Sequence, residues 1–334
     1  MYYRFLILAV LFLAFGCKDE GCEIPSEIAE IPVDIEIERL EKPFYAADTK
    51  AGMADFIKTN PLFADKYLQR DQYPADSLLI NPLLELATNE SLDTLVQESS
   101  KRFGNMQQEE EQLETAFKHI KYYYPEFNSP QVKTFVTGLG TLGSDLFISD
   151  SLIVFGLDYF IGKGATYRPQ VYEYILKRYE REMMIPAAML LLSNRFNKTN
   201  TTDRTVLSEM VNMGKAYYFV EKVMPCIPDS LIIGYSGQEL ADVEHNEGRI
   251  WAHFIEKSLL YEKNPFLINK YLGERPTTPE IDAKAPGRLG AWVGWQIVRE
   301  YMAKNPDVTL PELMANTDAR KIFTESKYKP ERRK

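Results

Sequence analysis

One stretch, residues 132 to 157, is β-branched and aromatic in a chain whose other long segments carry helical spacing. Within it, "VKTFVTGLG" and "DLFISDSLIVFGLDYF" place apolar runs before and on either side of a Ser149-Asp150-Ser151 turn. That pattern specifies a strand followed by a hairpin. A further segment, "VDIEIERL" at 33 to 40, alternates apolar and charged residues with the period of a half-buried strand. No regular alternation of strand and helix accompanies these segments, so a doubly wound sheet is not expected. The fold class is α+β: predominantly helical, with a small antiparallel sheet whose hairpin lies near 145–157.

The helical segments follow from spacing and punctuation. Residues 50 to 124 have helical character. In "EEEQLETAFKHIKYYYPEF", Leu113, Ala116, Phe117, Ile120 and Tyr124 form one stripe, and Pro125 stops it. Pro169 suits the start of a helix over "PQVYEYILKRYEREMM", and Pro186 is expected to break or kink the chain before "AAMLLLS". "TVLSEMVNMGKAYYFVEKVM" reads as another helix. "SGQE" at 236–239 matches a capping box and opens a long helix through Tyr261. "APGRLGAWVGWQIVREYM" predicts a helix starting near Gly287 or Arg288, with Leu289, Trp292, Val293 and Ile297 on one apolar stripe. Gly290 and Gly294, four apart, lay bare a face for close approach, either by an internal neighbour or by a partner. "DARKIFTESKY" closes the chain.

The N-terminus bears on where the protein works. The apolar run from Phe5 to Phe15 is about half the length a membrane-spanning helix needs. Arg4 precedes it and Ala14-Phe15-Gly16-Cys17 ends it, the layout of a signal peptide. That ending resembles a bacterial lipoprotein box, in which the cysteine is lipidated and becomes the first residue. An ordinary signal peptide with a chance cysteine is the alternative. The division expected is therefore 1–16 signal peptide, 17–31 lipidated tether and 32–334 one globular domain. Residues 1–16 contain one charged side chain, Arg4, so their removal takes the chain from −9 to −10. An acidic surface argues against nucleic acid and against electrostatic attachment to anionic lipid. Anchoring then falls to the lipid on Cys17. Beyond Cys17 only Cys22 and Cys226 remain. A disulfide between them is compatible with an exported chain but is not required. The expectation is a buried or unpaired Cys226.

Motifs for chemistry are few. "GLGTLG" at 138–143 matches G-x-G-x-x-G, but strand-like residues follow where a dinucleotide site needs a helix, so these are turn glycines. Ser236 in "GYSG" departs from a nucleophile elbow and already serves as a helix cap. His119, His245 and His253 show no zinc-binding spacing. His245 and His253 stand roughly 12 Å apart on one expected helix, with Glu256 within reach of His253. No cofactor or metal is expected. Glu182, Glu209, Lys215 and Glu247 interrupt apolar helices and read as structural ion pairs or remnants of a site. Trp251, Trp292 and Trp295 read as core. A vestigial or partner-binding site, if one exists, would draw on Asp158, Glu209, Lys215, Glu247, Arg288, Trp292 and Trp295.

Several long segments, in order, resemble the GldB gliding motility lipoproteins of Bacteroidetes. They are "LIVFGLDYFIGKGATYRPQVYEYILKRY", "LSEMVNMGKAYYFVEKVMP", "VEHNEGRIWAHFIEKSLLY", "APGRLGAWVGWQIVREYM" and "ESKYKP". The resemblance runs from about residue 30 to the end. It implies a lipoprotein of the cell envelope, palmitate-bearing and facing the periplasm or cell surface. It further implies a non-enzymatic accessory of the gliding machinery, which shares parts with type IX secretion and would supply its protein partners. The hairpin, helix and "GRLGAWVGWQIV" order is also similar to zinc-dependent peptidases. That similarity implies the alternative, a periplasmic hydrolase whose metal site is degenerate or lost. The segment "EREMMIPAAM" holds no histidine where such enzymes carry H-E-x-x-H.

Overall fold

The computed structural model describes residues 22 to 331. The signal-peptide and Cys17 expectations lie outside these residues. Four strands form one sheet in the order β1-β2-β4-β3: β1 Ile37–Arg39, β2 Gln131–Phe135, β3 Leu146–Ile148 and β4 Leu152–Gly156. The expected hairpin is present. β3 and β4 pair antiparallel, with Ile148 opposite Ile153, and the Ser149 hydroxyl accepts the Leu152 N–H at 3.1 Å.

The other two pairings are parallel, which makes the sheet mixed rather than purely antiparallel. Burial explains this. Val132, Ile153 and Phe155 face one core, while Phe135, Leu152 and Val154 face a second. Every residue of β4 is buried. A continuous apolar run of this kind is what a parallel sheet covered on both faces requires. The crossover from β1 to β2 spans residues 40 to 130 and supplies helices Lys50–Thr59, Pro61–Lys66 and Asp76–Ala87 to the second core. Glu38 of β1 stands opposite Lys133 of β2 and pairs with it.

The larger core gathers helices Gln107–Tyr123, Met184–Leu192, Val206–Val223, Leu289–Lys304 and Ala319–Ser326. The Val206–Val223 and Leu289–Lys304 helices meet at Gly214 and Gly294. A Cβ on Gly294 would stand 1.8 Å from the Met210 carbonyl oxygen, and one on Gly214 2.2 Å from the Gly294 carbonyl oxygen. The bare glycine face is thus filled by the protein's own backbone.

Other expectations change. The helix after Pro169 is short, Glu173–Leu176. It is followed by an extended Glu180 and a single turn over Arg181–Met183. The Arg181 guanidinium is committed to Glu109, at 2.6 and 2.7 Å, and to the carbonyls of Arg102 and Asn105. These long-range bonds override local helix propensity. Pro186 neither breaks nor kinks a helix, because it sits in the first turn of Met184–Leu192. Backbone N–H groups there have no intrahelical acceptor to lose.

The helix expected through Tyr261 divides at Asn246 into Gly237–His245 and Glu247–Glu256. The Asn246 side chain donates to the Asp242 carbonyl at 2.8 Å, a local bond that competes with helix continuation.

Residues 22 to 31, within the stretch expected as a lipidated tether, make contacts with the body. Cys22 is disulfide-bonded to Cys226 across 204 residues, so Cys226 is paired, and it is exposed rather than buried. Ile28 is buried in a short helix, Ser26–Ala29. Glu27 accepts from the Tyr122 hydroxyl at 3.0 Å, and the Ala29 carbonyl accepts from Lys118 at 3.0 Å.

Candidate functional site

The sequence "IPAAMLLLS" builds a helix that is apolar nearly all round, and the larger core covers one side of it. Its other side, with the Val206–Val223 and Pro265–Leu272 helices, walls an open cleft of about 1080 Å³. Met183, Ala187, Leu190, Met213, Ile268 and Leu272 supply the apolar surface. The volume is slightly above the usual range for small-ligand sites. Asn194 and Asn212 also line it, and among the described residues neither side-chain amide has a hydrogen-bond partner.

Charge collects at the Tyr217 end. Arg178 Nη1 lies 2.5 Å from Glu274 Oε1, and Arg288 Nε lies 3.2 Å from the same oxygen. Arg288 also donates to the Tyr217 hydroxyl at 3.1 Å. Two guanidiniums share one carboxylate, and Arg288 is only 4% exposed. Burial, and then the neighbouring Arg288, lower the Arg178 pKa against the pull of Glu274. Gly234 makes the arrangement fit. It ends the Asp229–Ile233 helix in the left-handed conformation, φ 71°, and a Cβ there would stand 3.3 Å from Arg288 and 3.4 Å from Arg178.

The opposite end holds Asp203, Arg204 and Glu209. Glu209 has no hydrogen-bond or ion-pair partner among the described residues. Burial raises its pKa, Asp203 adds to the rise, and Arg204 opposes it.

Of the residues singled out from sequence, Glu209 lines this cleft. Arg288 stands behind its wall, against Tyr217. Trp295 packs on Tyr217 with ring centroids 5.6 Å apart, and its indole N–H donates to Glu221 at 2.9 Å. Trp292 is buried in the core. Asp158, Lys215 and Glu247 are not among the cleft-lining residues. Asp158 accepts from the Thr137 N–H, the Thr137 hydroxyl and the Leu139 N–H, at 2.9, 3.0 and 2.6 Å. Burial raises its pKa against those donors. The glycine loop it organises turns through positive φ at Gly138, Leu139, Gly140 and Gly143 and leads into β3, so it opens no helix.

Lys215 is wholly buried and makes no ion pair. Its ammonium donates to the carbonyls of Lys198, Met314 and Asn316 at 2.7, 3.3 and 2.7 Å. Glu247 accepts from the Tyr328 hydroxyl at 2.8 Å. Glu182 alone of the four interrupting charges forms an ion pair, a 3.4 Å contact with Arg102.

Ser236 caps its helix in a full capping box with Glu239, as its sequence indicates. His253 Nε2 lies 2.8 Å from the Tyr271 hydroxyl, and His119 Nδ1 lies 2.8 Å from the Thr115 carbonyl. Among the described residues, no group of three or more His, Cys, Asp or Glu is arranged to hold a metal. Sequence reasoning missed Arg178, Asp203, Asn194 and Asn212. Arg178 sits in a stretch read as continuous helix, and its partner Glu274 is 96 residues distant in the chain. The left-handed Gly234 was the one local signal.

The family model described as gliding motility protein GldB matches residues 21–330. No curated protein and no solved structure matches the chain.

Proposed function

The chain belongs to the gliding motility protein GldB family, and on that premise we propose a lipid-anchored, non-enzymatic accessory of the gliding machinery in the Bacteroidetes cell envelope. The observation that carries this reading is the family match over nearly the whole chain. Cys17, at the end of a signal-like run, supplies the attachment point for lipid. Among the described residues no helix is long and apolar enough to cross a membrane, so attachment rests on that lipid. The Cys22–Cys226 bridge supports export, because disulfides persist in oxidising compartments. The non-enzymatic part is supported by the occupations of the candidate groups. Ser236 caps a helix, Lys215 ties three carbonyls together and Asp158 holds a loop.

The test is a strain lacking the gene, complemented with the parent or with Cys17→Ser and fed labelled palmitate. The deletion should stop gliding, and the parent should restore it. The variant should take up no label, leave the membrane fraction and fail to complement. Continued labelling and membrane retention of Cys17→Ser would refute the anchor, and normal gliding without the gene would refute the role.

A further inference from the structure

The large cleft is polar in a directional way. Its Tyr217 end carries Arg178 with Arg288 behind it, and one carboxylate, Glu274, serves both. Asp145 also lines this end, and it already accepts from the Tyr179 hydroxyl at 3.0 Å. Counting Asp145, this end is charge-balanced, two guanidiniums against two carboxylates, and what it offers a ligand is the partly exposed guanidinium of Arg178 rather than an excess of charge. The other end holds the partnerless carboxylate of Glu209, with Asp203 beside it. Arg204 and Lys263 are exposed at the mouth there. Between the two ends run apolar walls and the unengaged amides of Asn194 and Asn212.

The length of the cleft can be read along one helix. Glu209 and Tyr217 are eight residues apart on Val206–Val223, which is about 12 Å at 1.5 Å per residue. An extended peptide advances about 3.3–3.6 Å per residue, so three to four residues fill that span.

We propose that this cleft binds a short apolar peptide, with a carboxylate held at Arg178, an ammonium at Glu209 and its backbone amides against Asn194 and Asn212. The apolar wall takes the side chains, and Met183 and Met213 let it adapt to more than one sequence. A fatty acid would answer Arg178 alone. It would leave Glu209 without a counter-ion and the two asparagine amides without partners. A peptide engages all three features, and the observations favour it on that ground. This inference does not depend on the lipid anchor, and each can fail while the other stands.

The experiment uses the mature chain carrying Cys17→Ser, which needs no detergent, and titrates trileucine in a calorimeter. Trileucine should bind. Its C-terminal amide and its N-acetyl form should each bind about tenfold more weakly or worse, as expected for loss of a charge-assisted hydrogen bond. Arg178→Ala should weaken trileucine by the same factor and leave the amide no weaker than it was. Glu209→Gln should do the same with respect to the N-acetyl form. Arg178→Lys, which keeps the charge, should retain most of the affinity, and the altered peptides probe the parent fold without any substitution. Three results would overturn the proposal. Trileucine shows no binding up to its solubility limit; or all three peptides bind alike; or palmitate displaces trileucine and is itself the ligand weakened by Arg178→Ala.

Discussion

At Gly294 two helix backbones touch, and the sign of a substitution there is a test of packing. Glycine in a helix interior costs about 1 kcal/mol relative to alanine, so Gly294→Ala on an open face would stabilise. Here the added methyl meets the Met210 carbonyl oxygen at 1.8 Å and the Met210 carbonyl carbon at 2.3 Å. Backbone cannot rotate aside, so Gly294→Ala should destabilise by about 2–3 kcal/mol. Gly290 meets only the Tyr271 carbonyl oxygen at 3.1 Å and the Leu272 side chain at 3.2 Å, so Gly290→Ala should cost clearly less. Urea midpoints of the two variants rank them, and an equal or inverted order would discard the close-packing account.

Lys215 gives a second residue-scale expectation. Burial lowers its pKa from 10.5 to about 8. Above pH 8 the folded lysine sheds its proton while the unfolded one keeps it, so the unfolded state binds more protons and stability rises with pH. The gain is complete above the unfolded value and lost as pH falls through 8. Unfolding free energies measured from pH 7 to about 9.5 should rise with this slope in the parent and lack it in Lys215→Met. A parent slope equal to that of the variant would contradict it. Both residues were conspicuous in the sequence, as glycines four apart and as a charge in an apolar helix. The partners were not, because a backbone carbonyl has no residue-type signature. Lys215 therefore read as half of an ion pair that it does not form. Glu209 was legible for the same reason as Lys215, whereas Arg178 was not, since its role depends on Glu274 and Arg288 from distant segments.

Elements were legible where the signal was local. The Ser236–Glu239 capping box, the hairpin about Ser149–Ser151 and the helix opening after Arg288 rest on bonds within a few residues. The breaks at Asn246 and around Glu180 were not legible. They depend on a side-chain bond chosen from several alternatives, or on Glu109 reaching across from another helix. The parallel pairing of β2 with β1 and β4 was hidden because burial on both faces depends on which helices return to cover them. The capping box yields an element-scale prediction. Ser236→Ala should cost about 1 kcal/mol. Glu239→Ala should cost more, because Glu239 also binds Lys177 through both oxygens at 2.9 Å and so ties the Gly237–His245 helix to the segment carrying Arg178. Thermal melts of the two single variants test the order. If Glu239→Ala melts no lower than Ser236→Ala, the tie to Lys177 contributes nothing.

On the scale of the whole molecule, one sheet separates two cores and one bridge fastens the first described residue, Cys22, to Cys226, far along the chain. The Cys22–Cys226 disulfide closes a loop of 204 residues. Linking so distant a pair chiefly restricts the unfolded chain, and measured bridges contribute about 2–5 kcal/mol. The stretch it holds also has its own contacts, namely buried Ile28, Glu27 with Tyr122, and the Ala29 carbonyl with Lys118. The bridge should therefore be dispensable for the native fold yet costly to lose. Reductant, or Cys22→Ser, should lower the urea midpoint by an amount worth about 2–5 kcal/mol, with the far-ultraviolet spectrum unchanged at zero urea. A midpoint indifferent to reductant would show that the bridge does not restrain the unfolded chain. The same bridge bears on the proposed anchor. Five peptide steps separate Cys17 from Cys22, which at most about 3.6 Å each keeps Cys22 within roughly 18 Å of the proposed lipid site. Breaking the bridge leaves only the weaker contacts of residues 22 to 31 to hold the body beside residue 22. Under native conditions the reduced protein should accordingly be cut by protease within residues 22–31 sooner than the oxidised protein, with the remainder of the body resistant. Equal rates of cleavage would mean that Ile28 and its neighbours, not the disulfide, hold residues 22–31 against the body.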